Sequence, residues 1–235
     1  MIETRNLIKT FKDGERETRV LKGIDFSATD GEFIAIMGRS GAGKSTLLYQ
    51  MSLLDDPTSG EIVIAGHDTH TMSPEEKIAF RLTQCGYVFQ DYALLPELTA
   101  LENAALPLLM QGIARERAYA MACSALARMR LSHRLASRPS HLSGGEQQRA
   151  SIARAVAHHP RILFADEPTA NLDNESSDIV MAIFKDLHAE GQTIIMVTHE
   201  EQYAWLAQRT VILDDGKIVA VKDNLHDQRI RSVEY

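Results

Sequence analysis

The chain has 235 residues, 44% of them apolar and 24% charged, with a formal net charge of −7. That length and balance fit one globular domain and exclude a mainly disordered chain, and the negative charge argues against bulk, sequence-independent nucleic-acid binding. The two cysteines, Cys85 and Cys123, lie in separate segments without a C-x-x-C or His/Cys metal spacing, so they read as reduced thiols and not as a disulfide framework. No charge-free apolar run approaches the ~18–20 residues that cross a bilayer. Residues 1–5 lack the basic-then-apolar pattern of a signal peptide.

The first 30 residues, with Gly14 in a polar turn and Asp30-Gly31 ahead of an apolar run, read as antiparallel β-structure. Strand-like runs stand at 33–37, 62–65, 87–90, 162–165, 193–197, 210–213 and 217–221, several of them β-branched and almost continuously apolar, as buried parallel strands are. Helical patterns stand at 44–54, 74–83, 115–129, 146–157 and 175–190. Their alternation predicts an α/β core. Between 91 and 159 strand signals vanish and Ala, Leu, Met and Arg dominate, which predicts an inserted α-helical lobe. The expectation is a single domain over 1–235, with a core from 1–90 and 160–235 and a helical subdomain at 91–159. Asp214-Asp215-Gly216 marks a hairpin, and the last dozen residues are polar and read as peripheral.

One segment fits a phosphate-cradling pattern at every fixed position. Gly38-Arg39-Ser40-Gly41-Ala42-Gly43-Lys44-Ser45 matches G-x-x-x-x-G-K-S/T between a predicted strand and a predicted helix. Gly38, Gly41 and Gly43 let backbone N–H groups converge on phosphate oxygens, and the helix N-terminus adds partial positive charge. In this pattern Lys44 reaches the β- and γ-phosphates and Ser45 holds Mg²⁺. The fold class expected is thus a P-loop NTPase core with an N-terminal antiparallel β subdomain.

The run Ile162-Leu163-Phe164-Ala165 ends in two carboxylates. Asp166 suits Mg²⁺, because a hard cation prefers oxygen ligands. Glu167, one step on, is placed to polarise an attacking water as general base. Gln90 ends another apolar run and His199 follows 193–198. Ligands of parallel α/β sheets gather at the carboxyl ends of strands, so Gln90, Asp166, Glu167 and His199 are expected to face the nucleotide. His67, Asp68 and His70 read as a polar loop and not as a metal site. Leu142-Ser143-Gly144-Gly145-Glu146-Gln147-Gln148-Arg149 supplies a second glycine-rich turn leading into a helix, a second candidate anion site.

This last segment resembles the signature of the ATP-binding cassette (ABC) ATPases, and the chain from about residue 2 to 221 is similar to their nucleotide-binding subunit. The motifs stand in the family's order: Phe11, the loop from Gly38 through Thr46, Gln90, the signature, the strand ending at Asp166, Glu167, Asn171-Leu172-Asp173 and His199. The resemblance implies ATP and Mg²⁺ as ligands. It implies that Phe11 stacks on adenine, core packing being the alternative for one aromatic. It implies that Arg39, Ser40, Ala42 and Thr46 share the nucleotide with the loop glycines, and that Ser45, Gln90 and Asp166 surround the Mg²⁺. Ser143, Gly144 and Gly145 would then contact the γ-phosphate of ATP bound to a second copy of the chain, with Asp173 linking the two sites. Gln90, Glu167 and His199 would act in hydrolysis. Glu146 departs from the commoner Gln, and Ala170 from a frequent Gly or Ser.

Stretches such as 37–48, 54–60, 87–90, 94–103 and 165–173 are similar to the bacterial ATPases of macrolide, lipoprotein-release, antimicrobial-peptide and haem exporters, and to the cell-division ATPase. That implies an exporter subunit at the cytoplasmic face of the membrane, a homodimer held there by separately encoded permeases that dock near 90–109, where Tyr92, Leu94, Leu95 and Leu98 are candidate contacts. The alternative is a mechanotransmitting ATPase that moves no solute. A nucleic-acid role is not expected: DNA-repair relatives carry long coiled coils before the signature, and translation relatives carry two cassettes.

Overall fold

A computed structural model describes residues 1–14 and 16–224; the C-terminal tail read as peripheral lies, from 225 on, outside the described residues. The elements in chain order begin with β1 (Ile2–Asp13), β2 (Arg16–Ala28), β3 (Phe33–Met37), α1 (Lys44–Met51), β4 (Ser59–Ile64) and β5 (His67–Asp68). Then come α2 (Pro74–Gln84), β6 (Cys85–Val88), α3 (Ala100–Met110), α4 (Arg115–Arg128), α5 (Gly144–Val156), β7 (Ile162–Asp166) and α6 (Asn174–Ala189). The chain closes with β8 (Thr193–Val197), α7 (Glu201–Ala204), β9 (Arg209–Asp214) and β10 (Lys217–Asp223). It divides into two compact units, one made of 1–77 with the chain from Gly191 onward, the other of 78–190. The mixed α/β class read from the sequence holds.

The first unit contains an antiparallel sheet in the order β2-β1-β4-β5 and a sheet run β10-β9-β3-β8. β3 pairs parallel with both β8 and β9, while β9 and β10 form the hairpin that Asp215-Gly216 predicts. Both turn residues have positive φ, 44° and 73°, the combination that a two-residue hairpin with native twist requires. Phe33, Ile34, Ala35 and Ile36 on β3 and Ile194 through Val197 on β8 are fully buried. Such a strand, apolar on both faces, is what helices or sheets covering both sides demand. α1 stops at Met51, three residues before the periodic pattern ends, because Leu53 turns into the left-handed region at φ 59°.

The second unit pairs β6 with β7 in parallel, Val88 opposite Ala165. Helices α3, α4, α5 and α6 accompany them, with most of α2. α3 begins with a capping box in which Thr99 accepts from the Glu102 amide and Glu102 accepts from the Thr99 amide, satisfying two orphan donors of the helix start. Asn103, fully buried, fills its donors and its acceptor on the backbone of Leu95, Leu98 and Thr99. Cys85 is buried and its thiol is pushed up to about 12 by desolvation; Cys123 is likewise a free thiol. Among the described residues no helix is long and apolar enough to cross a membrane.

Candidate nucleotide site

In the first unit the phosphate-type loop hangs between the end of β3 and the start of α1, as the sequence predicts. Gly38 must be glycine for steric reasons: a Cβ there would stand 2.1 Å from the Leu213 carbonyl oxygen, far inside van der Waals contact. The loop is braced from outside. The Ala42 amide donates to the Arg39 carbonyl at 3.2 Å, the Gly216 amide to the Ala42 carbonyl at 3.1 Å, and the Lys22 amide to the Gly216 carbonyl at 2.9 Å. Thus the β9–β10 turn and β2 together grip the loop. Gly43, at φ 99°, caps α1 without a side-chain bond, so the first amides of α1 stay directed out of the helix end, where an anion gains both hydrogen bonds and the helix dipole.

Lys44 opens α1 and is buried. Its ammonium donates to the carbonyls of Gly38 at 3.0 Å and Arg39 at 3.2 Å, which folds the side chain over the loop. Ser45 and Thr46 follow in the same first turn, half-buried, while Arg39, Ser40 and Gly41 form the exposed crest. The Thr198 amide donates to the Ile36 carbonyl at 3.1 Å. The chain leaving β8 therefore starts beside the chain leaving β3, and the exposed His199 sits two residues past the end of β8. Phe11 lies on β1 opposite Thr18 and is 47% exposed, so it is not core packing. The Lys9 ammonium stands 5.1 Å from its ring centroid.

The second unit gathers the remaining predicted residues. β6 ends at Val88, not at Gln90: Gln90 lies in an exposed turn. The cause is a pair of left-handed residues just beyond, Tyr92 at φ 64° and Ala93 at φ 49°, a costly conformation for non-glycine residues. Arg154, which sequence reasoning missed, holds them there by donating to the Ala93 carbonyl at 2.6 Å and the Tyr92 carbonyl at 3.0 Å. Burial pushes that guanidinium down from its ordinary value.

Asp166 is buried at the end of β7. Glu167 follows at φ 45°, a left-handed non-glycine residue of the kind concentrated at functional sites. The turn continues with the Ala170 amide bonded to the Glu167 carbonyl at 3.2 Å. Asp173 caps α6, its carboxylate accepting from the Ser176 amide at 2.7 Å, and that bond holds its carboxyl below the usual range.

Ser143 caps α5 in a second capping box: its hydroxyl accepts from the Glu146 amide at 3.2 Å, and Glu146 accepts from the Ser143 amide at 2.9 Å. The S-x-x-E spacing is the sequence form of such a box. A Cβ on Gly145 would stand 2.6 Å from the Ser176 hydroxyl, so the α5 start packs against the α6 start at backbone distance. The Tyr92 hydroxyl lies 3.0 Å from where a side chain on Gly144 would begin. Gln148, another residue the sequence did not flag, is fully buried and donates to the Pro168 carbonyl at 2.8 Å. Within this unit the residues around Gln90, the signature and the segment 167–173 form one connected cluster.

Ser45 and Asp166 are hard oxygen donors, the kind Mg²⁺ prefers. Among the described residues no group of three or more His, Cys, Asp or Glu gathers as a metal site. With so few protein ligands, Mg²⁺ at either residue would draw the rest of its shell from phosphate oxygens and water, its usual situation.

A braced P-type loop, a buried carboxylate followed by a strained glutamate, and a capped glycine-rich helix start are the features on which relatives can be compared. The family model for ABC transporter proteins matches residues 21–170, more than half of the chain. The chain belongs to the ABC transporter family. It is 46% identical over 221 residues to the lipoprotein-releasing system ATP-binding protein LolD of Geobacter metallireducens, a match covering 94% of this chain and 98% of that one. It is 42% identical over 236 residues to the macrolide export ATP-binding/permease protein MacB of Chlorobium phaeobacteroides, covering 99% of this chain and 35% of that one. Among solved structures it is similar to the dimeric post-hydrolysis state of an ATP-binding cassette bound to ADP and Pi, with a TM-score of 0.88 and 38% identity over 95% of this chain and 99% of that chain. As a member of the ABC ATPases the protein is an ATP-hydrolysing enzyme.

Proposed function

We propose that this ABC ATPase is the energy-coupling subunit of an exporter, acting as a homodimer bound to separately encoded permeases at the cytoplasmic face of the membrane. The observation that carries the reading is the match to a lipoprotein-releasing ATP-binding protein across nearly the whole of both chains. The relatives named as combined ATP-binding/permease proteins are instead about three times longer, this chain spanning 35% of one of them.

In this reading residues 1–235 work as one ATPase module. Phe11 stacks on adenine, the amides of residues 38–46 cradle the phosphates, and Lys44 leaves its loop carbonyls for the β- and γ-phosphates. Ser45, Gln90 and Asp166 hold Mg²⁺, which when bound neutralises phosphate charge. Glu167 accepts a proton from the attacking water, Gln90 and His199 orient that water and the γ-phosphate, and a proton leaves with the product. Ser143, Gly144 and Gly145 of one copy meet the γ-phosphate held by the other, while Asp173 sits between the two sites. ATP bound between two anion sites holds the dimer closed, and hydrolysis weakens it. Support comes from the two glycine-rich helix starts, of α1 behind the crest Arg39–Gly41 and of α5 behind the exposed Ser143, and from a similar cassette solved as a dimer.

The permease contact is proposed for 90–109, where Leu95 and Leu109 are exposed. The test is to purify the chain with its native membrane and identify what comes with it. A copurifying permease that raises ATP turnover and supports movement of a solute across vesicles fits the exporter. A stimulated complex that moves no solute favours mechanotransmission, and no membrane partner at all contradicts both.

A further inference from the structure

The signature of this chain carries a carboxylate at a place where anions are meant to arrive. Glu146 lies in the first turn of α5, three residues from Ser143, with only 13% of its side chain exposed. A negative charge there completes the helix cap, yet it also repels a triphosphate approaching the same helix start. A neutral side chain at this position would cap without repulsion. The structure resolves this conflict through Arg134. Its Nε donates to Glu146 Oε1 at 2.9 Å, while the other carboxylate oxygen takes the Ser143 amide at 2.9 Å. His133 Nε2 stands farther, 3.7 Å from the same Oε1. Burial alone would push the Glu146 carboxyl up, but the Ser143 amide and the bond and charge of Arg134 outweigh it and hold the carboxyl below the usual range.

Arg134 is itself fixed by backbone. Its amide donates to the Leu131 carbonyl at 2.9 Å and its carbonyl accepts the Ser137 amide at 2.9 Å. The Ser137 carbonyl in turn accepts the first amide of α3, that of Ala100, at 2.8 Å. A planar guanidinium delivered from a short, tied turn is a preorganised counter-charge.

We propose that Arg134 is a positioning residue for the composite ATP site: it neutralises Glu146 and locks the Ser143–Glu146 cap, so that the signature accepts the γ-phosphate held by a second copy. The proposal rests on the composite-site reading above. Arg134 touches no nucleotide in this account; it acts through Glu146. Its importance is therefore conditional on the charge at 146.

That condition makes the test. In a Glu167→Gln background, ATP-driven dimerisation is titrated by light scattering, and nucleotide binding to the monomer is followed with a fluorescent ATP analogue. Arg134→Ala should raise the half-dimerising ATP concentration at least about tenfold, the scale for losing one charge-assisted hydrogen bond. Arg134→Lys, which keeps the charge and loses the fixed planar donor, should raise it by about threefold. With Glu146→Gln also present, Arg134→Ala should change it by less than about twofold, because the repulsive charge is gone. Monomer binding of the analogue should be the same in all of them, which separates positioning from misfolding; if Arg134→Ala loses it, Arg134→Lys carries the comparison. An Arg134 defect of equal size with Gln at 146, or no defect with Glu there, overturns the proposal while leaving the composite site standing. Failure of Glu167→Gln itself to dimerise with ATP overturns both.

Discussion

Asn171 donates its side-chain amide to the Gln90 carbonyl at 3.0 Å, and its own carbonyl accepts the Tyr92 hydroxyl at 3.3 Å. One residue therefore ties the turn that carries Gln90 to the segment that carries Glu167 and Asp173. If the turn is displaced by a partner, the segment that follows Glu167 is pulled with it. In the proposed exporter the pair would carry displacement of the Gln90 turn to the segment 167–173.

Asn171→Ala removes the side-chain tie and keeps the carbonyl that Tyr92 uses. One net hydrogen bond near the surface is worth about 1 kcal/mol, so thermal stability should barely move. Stimulation of ATP turnover by the membrane partner should fall by about fivefold, with less change in unstimulated turnover. Steady-state ATPase assays with and without the partner check this, and equal loss in both would remove Asn171 from the coupling.

Arg154 makes a sharper case for stability. It is the donor that satisfies two carbonyls of a left-handed pair, and truncation leaves strained backbone and unsatisfied oxygens. Arg154→Ala should cost about 2–3 kcal/mol, visible as a lowered thermal midpoint, and it should blunt partner stimulation. Arg154→Lys should recover only part of both, because one ammonium does not replicate two parallel guanidinium donors.

Gly38→Ala tests the bracing of the phosphate-type loop. The new Cβ would press on the Leu213 carbonyl, and strand backbone has no flexible end to yield. The expected outcome is destabilisation of roughly 2 kcal/mol, a fall of about 4–8 °C in the melting midpoint, and loss of nucleotide binding. Normal binding of a fluorescent ATP analogue would show that the loop tolerates the shift.

Lys44→Ala removes a cation folded over the loop. Turnover should drop by roughly 10²-fold or more, the scale for losing one preorganised charge-stabilising donor. The fold should survive, since the bonds lost to the Gly38 and Arg39 carbonyls lie at the loop and not in the core. An unchanged rate in a steady-state assay would take Lys44 out of the site.

What was legible in the sequence follows the range of the interactions. The β3–loop–α1 unit is local: five apolar residues, glycines, then a helix, and the chain folds there as its pattern says. The Ser143–Glu146 and Thr99–Glu102 boxes are equally local, a hydroxyl residue three positions before a glutamate, although the helical patterns read from the sequence leave out 100–110. The end of β6 was misplaced by two residues because Phe89 continues the apolar run; only Arg154, from a distant helix, decides that the chain turns instead. The early end of α1 hides for a related reason, since Leu53 is a good helix former whose left-handed φ is set by its surroundings. Arg134 and Gln148 act across the fold, and no periodicity or motif announces a side chain whose partner is a carboxylate or a carbonyl elsewhere.

In the proposed dimer each chain supplies one half of each of two ATP sites, and the oligomeric state under ATP reports on this. Glu167→Gln, which removes the proposed general base, should run at twice the monomer mass in light scattering when ATP and Mg²⁺ are present and as a monomer with ADP. Adding Ser143→Arg, a bulky side chain at the signature, should return it to a monomer that still binds nucleotide. A Glu167→Gln protein that stays monomeric with saturating ATP, or a dimer indifferent to Ser143→Arg, would contradict the claim.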